Sequence, residues 1–216
     1  MVNLPEDLCA VLDHEMTIIV RNLAKRYNRN TIFKNLSAQF EQEKTYAILG
    51  PNGSGKSTLL KVLAAITDPD EGEITYQIPN YKKEHIYQTV GYVAPYIDIP
   101  EEYTFPELLS FHSKFKQPRV QLEEVVALCG LSRFEDTPIK EYSSGMKQRV
   151  KLSLVLFFKN LISVYDEPCS HLDKEGFDWY NEHVQNHVKH GLVLIGSNNP
   201  EEYKSADVHI DIQSFK

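Results

Sequence analysis

Gly50, Pro51, Asn52, Gly53, Ser54, Gly55, Lys56 and Ser57, followed by Thr58, fit the pattern G-x-x-x-x-G-K-[ST]. Residues of these types at this spacing do one kind of chemistry. The glycines let backbone N–H groups turn inward on phosphate oxygens, a following helix offers its positive end, Lys56 reaches the outer phosphates and Ser57 can ligate Mg²⁺. The pattern carries this meaning only between a strand and a helix. Residues 46–49 form a compact apolar run before it, and Leu59, Leu60, Val62, Leu63 and Ile66 recur at helical spacing after it.

Splitting a triphosphate also takes a carboxylate for the metal and a group that orients water. Residues 161–165 read as a buried strand, and Asp166 and Glu167 stand at its end. Asp166 is expected to hold the metal through a water, and Glu167 to act as general base on the attacking water. A second candidate anion site is Tyr142-Ser143-Ser144-Gly145-Met146-Lys147-Gln148-Arg149, in which a serine can cap a helix and small residues leave amides open. One triphosphate does not need two helix N-termini and Lys56 from one fold. The second site is therefore assigned to a partner's nucleotide, which implies a dimer.

The elements that must position these groups follow from patterning. Short strands are expected at residues 17–20, 36–40, 46–49, 74–76, 90–94, 161–165 and 192–195, with a short terminal hairpin near residues 208–212. Helices are expected from Lys56, behind the start signal Thr104…Glu107 with Pro106, around residues 122–128 up to Gly130, from about Gly145 to Phe158, and around residues 177–190 with Gly191 as the stop. Strands alternating with helices predict an α/β fold with a mostly parallel sheet covered on both faces. The chain of 216 residues reads as a single domain, residues 1–216, with a helical lobe at about residues 96–158 inserted in the core.

Composition removes other classes. Lys plus Arg number 23 and Asp plus Glu 30, a net charge of −7, which argues against the phosphate-neutralising surface of a nucleic-acid binder. Cys9, Cys129 and Cys169 lack the paired short spacings of metal or disulfide frameworks, so a reducing compartment is expected. No apolar run approaches the ~18 to 20 residues that cross a bilayer. Residues 1–15 carry Glu6, Asp7 and Asp13 and no basic lead-in to an apolar block, so no secretory leader is expected.

Taken in order, these motifs resemble those of the ATP-binding cassette (ABC) ATPases, from about Thr17 to the C-terminus. GPNGSGKST is similar to that family's Walker A motif, YSSGMKQR to a variant of its LSGGQ signature, ISVYDEP to its Walker B and Ser170-His171-Leu172-Asp173 to its D-loop. The resemblance implies a P-loop NTPase core with an N-terminal antiparallel β subdomain and an inserted α-helical subdomain. It implies a nucleotide-dependent head-to-tail dimer in which Lys56 of one subunit and Ser143 and Gly145 of the other clamp each ATP, with Tyr27 stacked on adenine. It further implies a separate transmembrane transporter subunit as partner and a cytoplasmic place, peripheral on the inner face of the cell membrane.

Besides Ser144 and Met146, which stand where the signature usually has Gly and Gln, the sequence departs from the family at two further places. Where a glutamine usually follows the strand at residues 90–94 and contacts Mg²⁺ and water, Pro95 and Tyr96 stand here. Where a histidine usually follows the last core strand, this chain reads Ser197-Asn198-Asn199. Asn198 can hydrogen-bond a phosphate but cannot protonate near neutral pH, so hydrolysis is expected to be slow in isolation. Two alternatives stay open: a soluble cassette ATPase without a transport role, and an ATP-gated interaction module with weak hydrolysis. His183, His187 and His190 share one side of a helix, but they flank the apolar stripe of Phe177, Tyr180, Val184 and Val188 as an amphipathic border does. The aromatics of residues 96–105 suit either the lobe's own core or a groove for a membrane partner, and Cys169 reads as a packing thiol.

Overall fold

A computed structural model describes residues 16–79, 81, 83–188 and 191–216. Its first layer is an antiparallel sheet of β1 (Thr17–Tyr27), β2 (Asn30–Glu41) and β4 (Glu71–Gln77), ordered β2-β1-β4. The pairing slips after Val20 and again near Leu23 and Lys25. Asn22, Asn28 and Asn35 take positive φ, the left-handed backbone that asparagine tolerates better than most residues. These irregularities break the period-2 pattern, which is why β1 reads from sequence as four residues and spans eleven.

The second layer is a five-stranded parallel sheet, ordered β5-β6-β7-β3-β8, built from β3 (Thr45–Leu49), β5 (Val90–Val93), β6 (Ile162–Asp166), β7 (Leu192–Gly196) and β8 (Val208–Asp211). The central strands β6 and β7 are buried throughout and mostly apolar, as a sheet covered on both faces requires. Successive residues serve opposite faces. Ile162, Val164, Leu192 and Leu194 join a core with β1, β2 and α1 (Lys56–Leu63), while Tyr165, Val193 and Ile195 join a second core with the helices of the other side.

Those helices are α2 (Phe105–His112), α3 (Leu122–Leu128), α4 (Ser144–Leu156) and α5 (Lys174–Val188). The capping box expected at α2 is formed: Thr104 Oγ1 accepts from Glu107 N at 3.4 Å and Glu107 Oε2 accepts from Thr104 N at 2.8 Å. Of the ambiguous aromatics, Phe105 is fully buried in the second core, which the helices share with the parallel sheet, and Tyr103 stacks edge-on against exposed Phe111.

Two expectations fail. The terminal segment is no hairpin: β8 lies parallel to β3, on the side away from β7, because the 3₁₀ turn Pro200–Tyr203 carries the chain across before it returns. Ile66 does not extend the face of α1. The helix caps at Ala64, Ala65 turns to φ 55°, and Ile66 is left exposed.

Among the described residues no helix is long and apolar enough to cross a membrane, and no cluster of three or more metal-ligating side chains forms. His183 Nδ1 lies 2.9 Å from Trp179 O and its ring packs on Phe157, so it works in packing. The side chains of His187 and His190, and all of Cys9, lie outside the described residues. Cys129 and Cys169 are buried free thiols, and burial pushes the Cys129 thiol up to about 12 and Cys169 well above the usual range, which suits packing rather than chemistry.

Candidate functional site

The candidate groups gather at the carboxyl ends of β3, β6 and β7, three adjacent strands, the edge where open α/β sheets bind ligands. Between β3 and α1 the chain makes a tight loop over residues 50–55. Gly55 has φ 107°, and a Cβ there would sit 2.4 Å from Ile32 Cγ2, so β2 presses on the loop from below and only glycine fits. Pro51, Asn52 and Gly53 form the exposed rim. Ser54 is buried and its N–H donates to Pro51 O at 3.1 Å. Ser57 and Thr58 open α1 half-buried.

Lys56 is only 4% exposed. Its Nζ donates to Gly50 O at 2.9 Å and Pro51 O at 3.2 Å. The ammonium is thus held over the loop, with carbonyl oxygens where an anionic ligand would bring stronger acceptors.

Asp166 ends β6 and is 1% exposed. Its Oδ2 accepts from Tyr96 Oη at 3.0 Å and Tyr92 Oη at 3.2 Å, and its Oδ1 is buried with no partner. A buried carboxylate oxygen without a donor is costly unless something satisfies it. With the Ser57 hydroxyl at the start of α1, the oxygen donor set fits a hard cation such as Mg²⁺. Burial raises both phenols, with the Asp166 charge adding to it; Tyr96 is pushed up to about 12 and Tyr92 further, so both hydroxyls stay protonated, 2.7 Å apart, beside Oδ2.

Glu167 follows in the left-handed region, φ 47°, fixed by its N–H donating to Gly196 O at 2.8 Å. A non-glycine residue there stores ~1 to 3 kcal/mol of strain, which the bond to Gly196 helps to hold. Asn198, exposed after β7, donates Nδ2 to Asn52 Oδ1 at 2.8 Å. Glu202 is a buried carboxyl from the turn after Asn199. Burial raises it, the hydroxyl of Ser197 partly offsets this, and its Oε2 has no partner.

The structure does not bring every candidate together. Ser143 caps α4, its Oγ accepting from Met146 N at 3.2 Å, and its partners belong to its own helix rather than to the glycine loop. Gly145 abuts the backbone of the segment after β6, since a Cβ there would lie 3.1 Å from His171 O. Gln148 Nε2 ties the same helix to Pro168 O at 2.7 Å. Tyr27 ends β1 with its ring about half exposed (48%) and Lys25 Nζ 5.7 Å from its centroid.

Sequence reasoning missed two things. The hydroxyls of Tyr92 and Tyr96 on Asp166 follow from pairing of β5 with β6, with Tyr92 opposite Val164 and therefore on the same face as Asp166. The tail after β8 also supports the loop. Buried Ile212 lies against Gly50 and Gly55, and Lys216 Nζ donates to Ser54 O at 2.7 Å and Ile32 O at 2.8 Å.

A strand–loop–helix with a buried lysine, a buried aspartate ending β6, one strand removed from β3 across β7, and a helical segment between β5 and β6 define a P-loop ATPase. The ABC transporter family model matches residues 33–170. The chain belongs to that family, and with it to the ATP-binding, ATP-hydrolysing subunits of ABC transporters. It is 29% identical over 188 residues to the uncharacterized ABC transporter ATP-binding protein YybJ of Bacillus subtilis (strain 168), covering 86% of each chain. It is 27% identical over 183 residues to the lantibiotic transport ATP-binding protein SrtF of Streptococcus pyogenes, covering 82% of this chain and 77% of that one. Among solved structures, a putative ABC transporter ATP-binding protein from Pyrococcus furiosus superposes with a TM-score of 0.79 at 22% identity, covering 93% of this chain and 99% of that one, a likeness of fold.

Proposed function

We propose that this chain is one ATPase domain, with residues 96–158 as its helical lobe, that works as a head-to-tail dimer and drives a separate membrane-spanning subunit from the cytoplasmic face of the membrane. The observation that supports it best is the convergence of Lys56, Asp166, Glu167 and Asn198 at one sheet edge, with Ser143 set apart at the start of α4. A helix start of open amides that does not face its own glycine loop is suited to a nucleotide held by a second copy.

Each residue has a role that its surroundings support. The loop N–H groups of residues 52–57 and the Lys56 ammonium bind the phosphates, and Lys56 exchanges its carbonyl partners for phosphate oxygens. Mg²⁺, held by Ser57 and by Asp166 through water, would neutralise phosphate charge. Glu167 orients the attacking water and takes its proton, in the arrangement fixed by its bond to Gly196. Asn198 donates its amide toward the terminal phosphate. Ser143 and Gly145 close the partner's site, and Tyr27 presents its ring to the base.

Glu167→Gln tests both halves of the reading. It should lower steady-state phosphate release by about a hundredfold or more, the scale of a positioned base. With ATP it should run as a dimer in size-exclusion chromatography, while Ser143→Trp in the same background should run as a monomer. A Glu167→Gln protein that stays monomeric at saturating ATP would defeat the shared-site reading. Equal, near-zero turnover in wild type and variant would favour an ATP-gated interaction module instead.

A further inference from the structure

The loop after β5 reaches the candidate metal site through phenols rather than an amide. Tyr96 leaves the sheet in a turn closed by Ile97 N donating to Ala94 O at 3.2 Å. Its hydroxyl lies 3.0 Å from Asp166 Oδ2 and 2.7 Å from the hydroxyl of Tyr92, which itself lies 3.2 Å from the same oxygen. Its ring, half exposed, faces Lys61 of α1, whose Nζ is 4.4 Å from the centroid. Just before it, Pro95 O accepts from Lys151 Nζ of α4 at 2.9 Å.

We infer that Tyr96, assisted by Tyr92, is a positioning residue for the metal carboxylate: the two hydroxyls hold Asp166 Oδ2 so that Oδ1 alone is left for the cation's water. Two observations carry this. Two hydroxyls 2.7 Å apart converge on one oxygen of a carboxylate that is 1% exposed, and the other oxygen is buried without a partner. With one proton each, Tyr92 can donate to Tyr96 while Tyr96 donates to Oδ2. An ionised carboxylate has room for about four acceptor contacts, so occupying one oxygen fixes the rotation of the group without exhausting it. Outer-shell hydrogen bonds of this kind orient a ligating carboxylate, and losing one typically costs 10- to 100-fold in metal affinity. Because Lys151 holds the neighbouring peptide, α4 is mechanically linked to the orientation of Asp166 through two residues of one loop.

The inference rests on the reading that Asp166 serves Mg²⁺, and the experiment separates the two. Binding of a fluorescent ATP analogue is measured without hydrolysis, first in EDTA and then across a magnesium titration, for wild type, Tyr96→Phe, Tyr92→Phe/Tyr96→Phe, Asp166→Asn and Asp166→Asn/Tyr96→Phe. Tyr96→Phe keeps the ring over Lys61 at a half-exposed position, so it is expected to fold, and a thermal melt checks this. The magnesium midpoint should rise about tenfold in Tyr96→Phe and further in the double tyrosine variant, with affinity in EDTA unchanged. In the Asp166→Asn background Tyr96→Phe should add nothing, since it acts only through that carboxylate. A midpoint within twofold of wild type, or an equal loss with and without magnesium, overturns the positioning role. If Asp166→Asn itself leaves the midpoint unmoved, the metal reading falls and takes this inference with it.

Discussion

The Asn198 side-chain amide donates to Asn52 Oδ1 at 2.8 Å, tying the end of β7 to the rim of the glycine loop across 146 positions of sequence. An asparagine at this place offers a fixed donor that neither gains nor releases a proton near neutral pH. Replacement by histidine adds a group that titrates near neutral pH and still reaches the rim. Asn198→His is therefore expected to raise steady-state phosphate release by about tenfold, a small share of what a well-placed acid–base group supplies. Asn198→Ala should lower it. A histidine variant no faster than wild type would remove the account of slow hydrolysis.

Gly55 permits a structural forecast. Its φ of 107° is strained for any side chain, and the Cβ would overlap Ile32 Cγ2 at 2.4 Å. Gly55→Ala should cost about 2 to 3 kcal/mol in urea unfolding, combining backbone strain and overpacking. Adding Ile32→Ala should restore only the steric part. Full recovery in the double variant would mean that the backbone at Gly55 carries no strain of its own.

How much of this was legible in the sequence depends on range. The glycine loop, the Asp166–Glu167 strand end and the Thr104…Glu107 capping box are local, written in spacings of a few residues, and the structure forms the local elements they imply. The tyrosines on Asp166 were not legible, because their pairing spans 74 and 70 positions and depends on the register of β5 against β6. β8 was misread for a related reason. Four residues with Val208 and Ile210 half-buried look the same in an antiparallel hairpin and at the parallel edge beside β3, and only the path through Pro200–Tyr203 decides. The buttress of Ile212 and Lys216 under the loop had no signal, since neither residue type is special at that place.

Lys56 is buried with its ammonium on two loop carbonyls, partners that phosphate oxygens would replace on the proposed reading. Lys56→Met should leave the melting temperature without nucleotide within a few degrees of wild type. The rise in melting temperature produced by ATP should collapse, corresponding to about a hundredfold weaker binding. An undiminished ATP-induced shift would take Lys56 out of phosphate binding.

His112 on α2 gives a pH dependence whose sign is fixed by its surroundings. Its ring stands edge-on to Phe158 at 4.5 Å and its Nε2 is buried without a partner. Burial, with the Lys116 charge second, pulls the imidazole down from 6.5 to about 4. Below pH 6.5 the unfolded chain takes up a proton at this residue and the folded chain does not, until the pH falls through about 4. Stability linked to His112 is therefore present above pH 6.5 and is lost across the window from 6.5 to 4. Discounted for partial exposure, the loss by pH 4.5 is about 2 kcal/mol. His112→Phe keeps a ring against Phe158 and removes the titration. The difference in unfolding free energy between the variant and wild type should move in the variant's favour by that amount between pH 7 and pH 4.5. Parallel curves for the two proteins would mean that His112 protonates in the folded state as freely as in water.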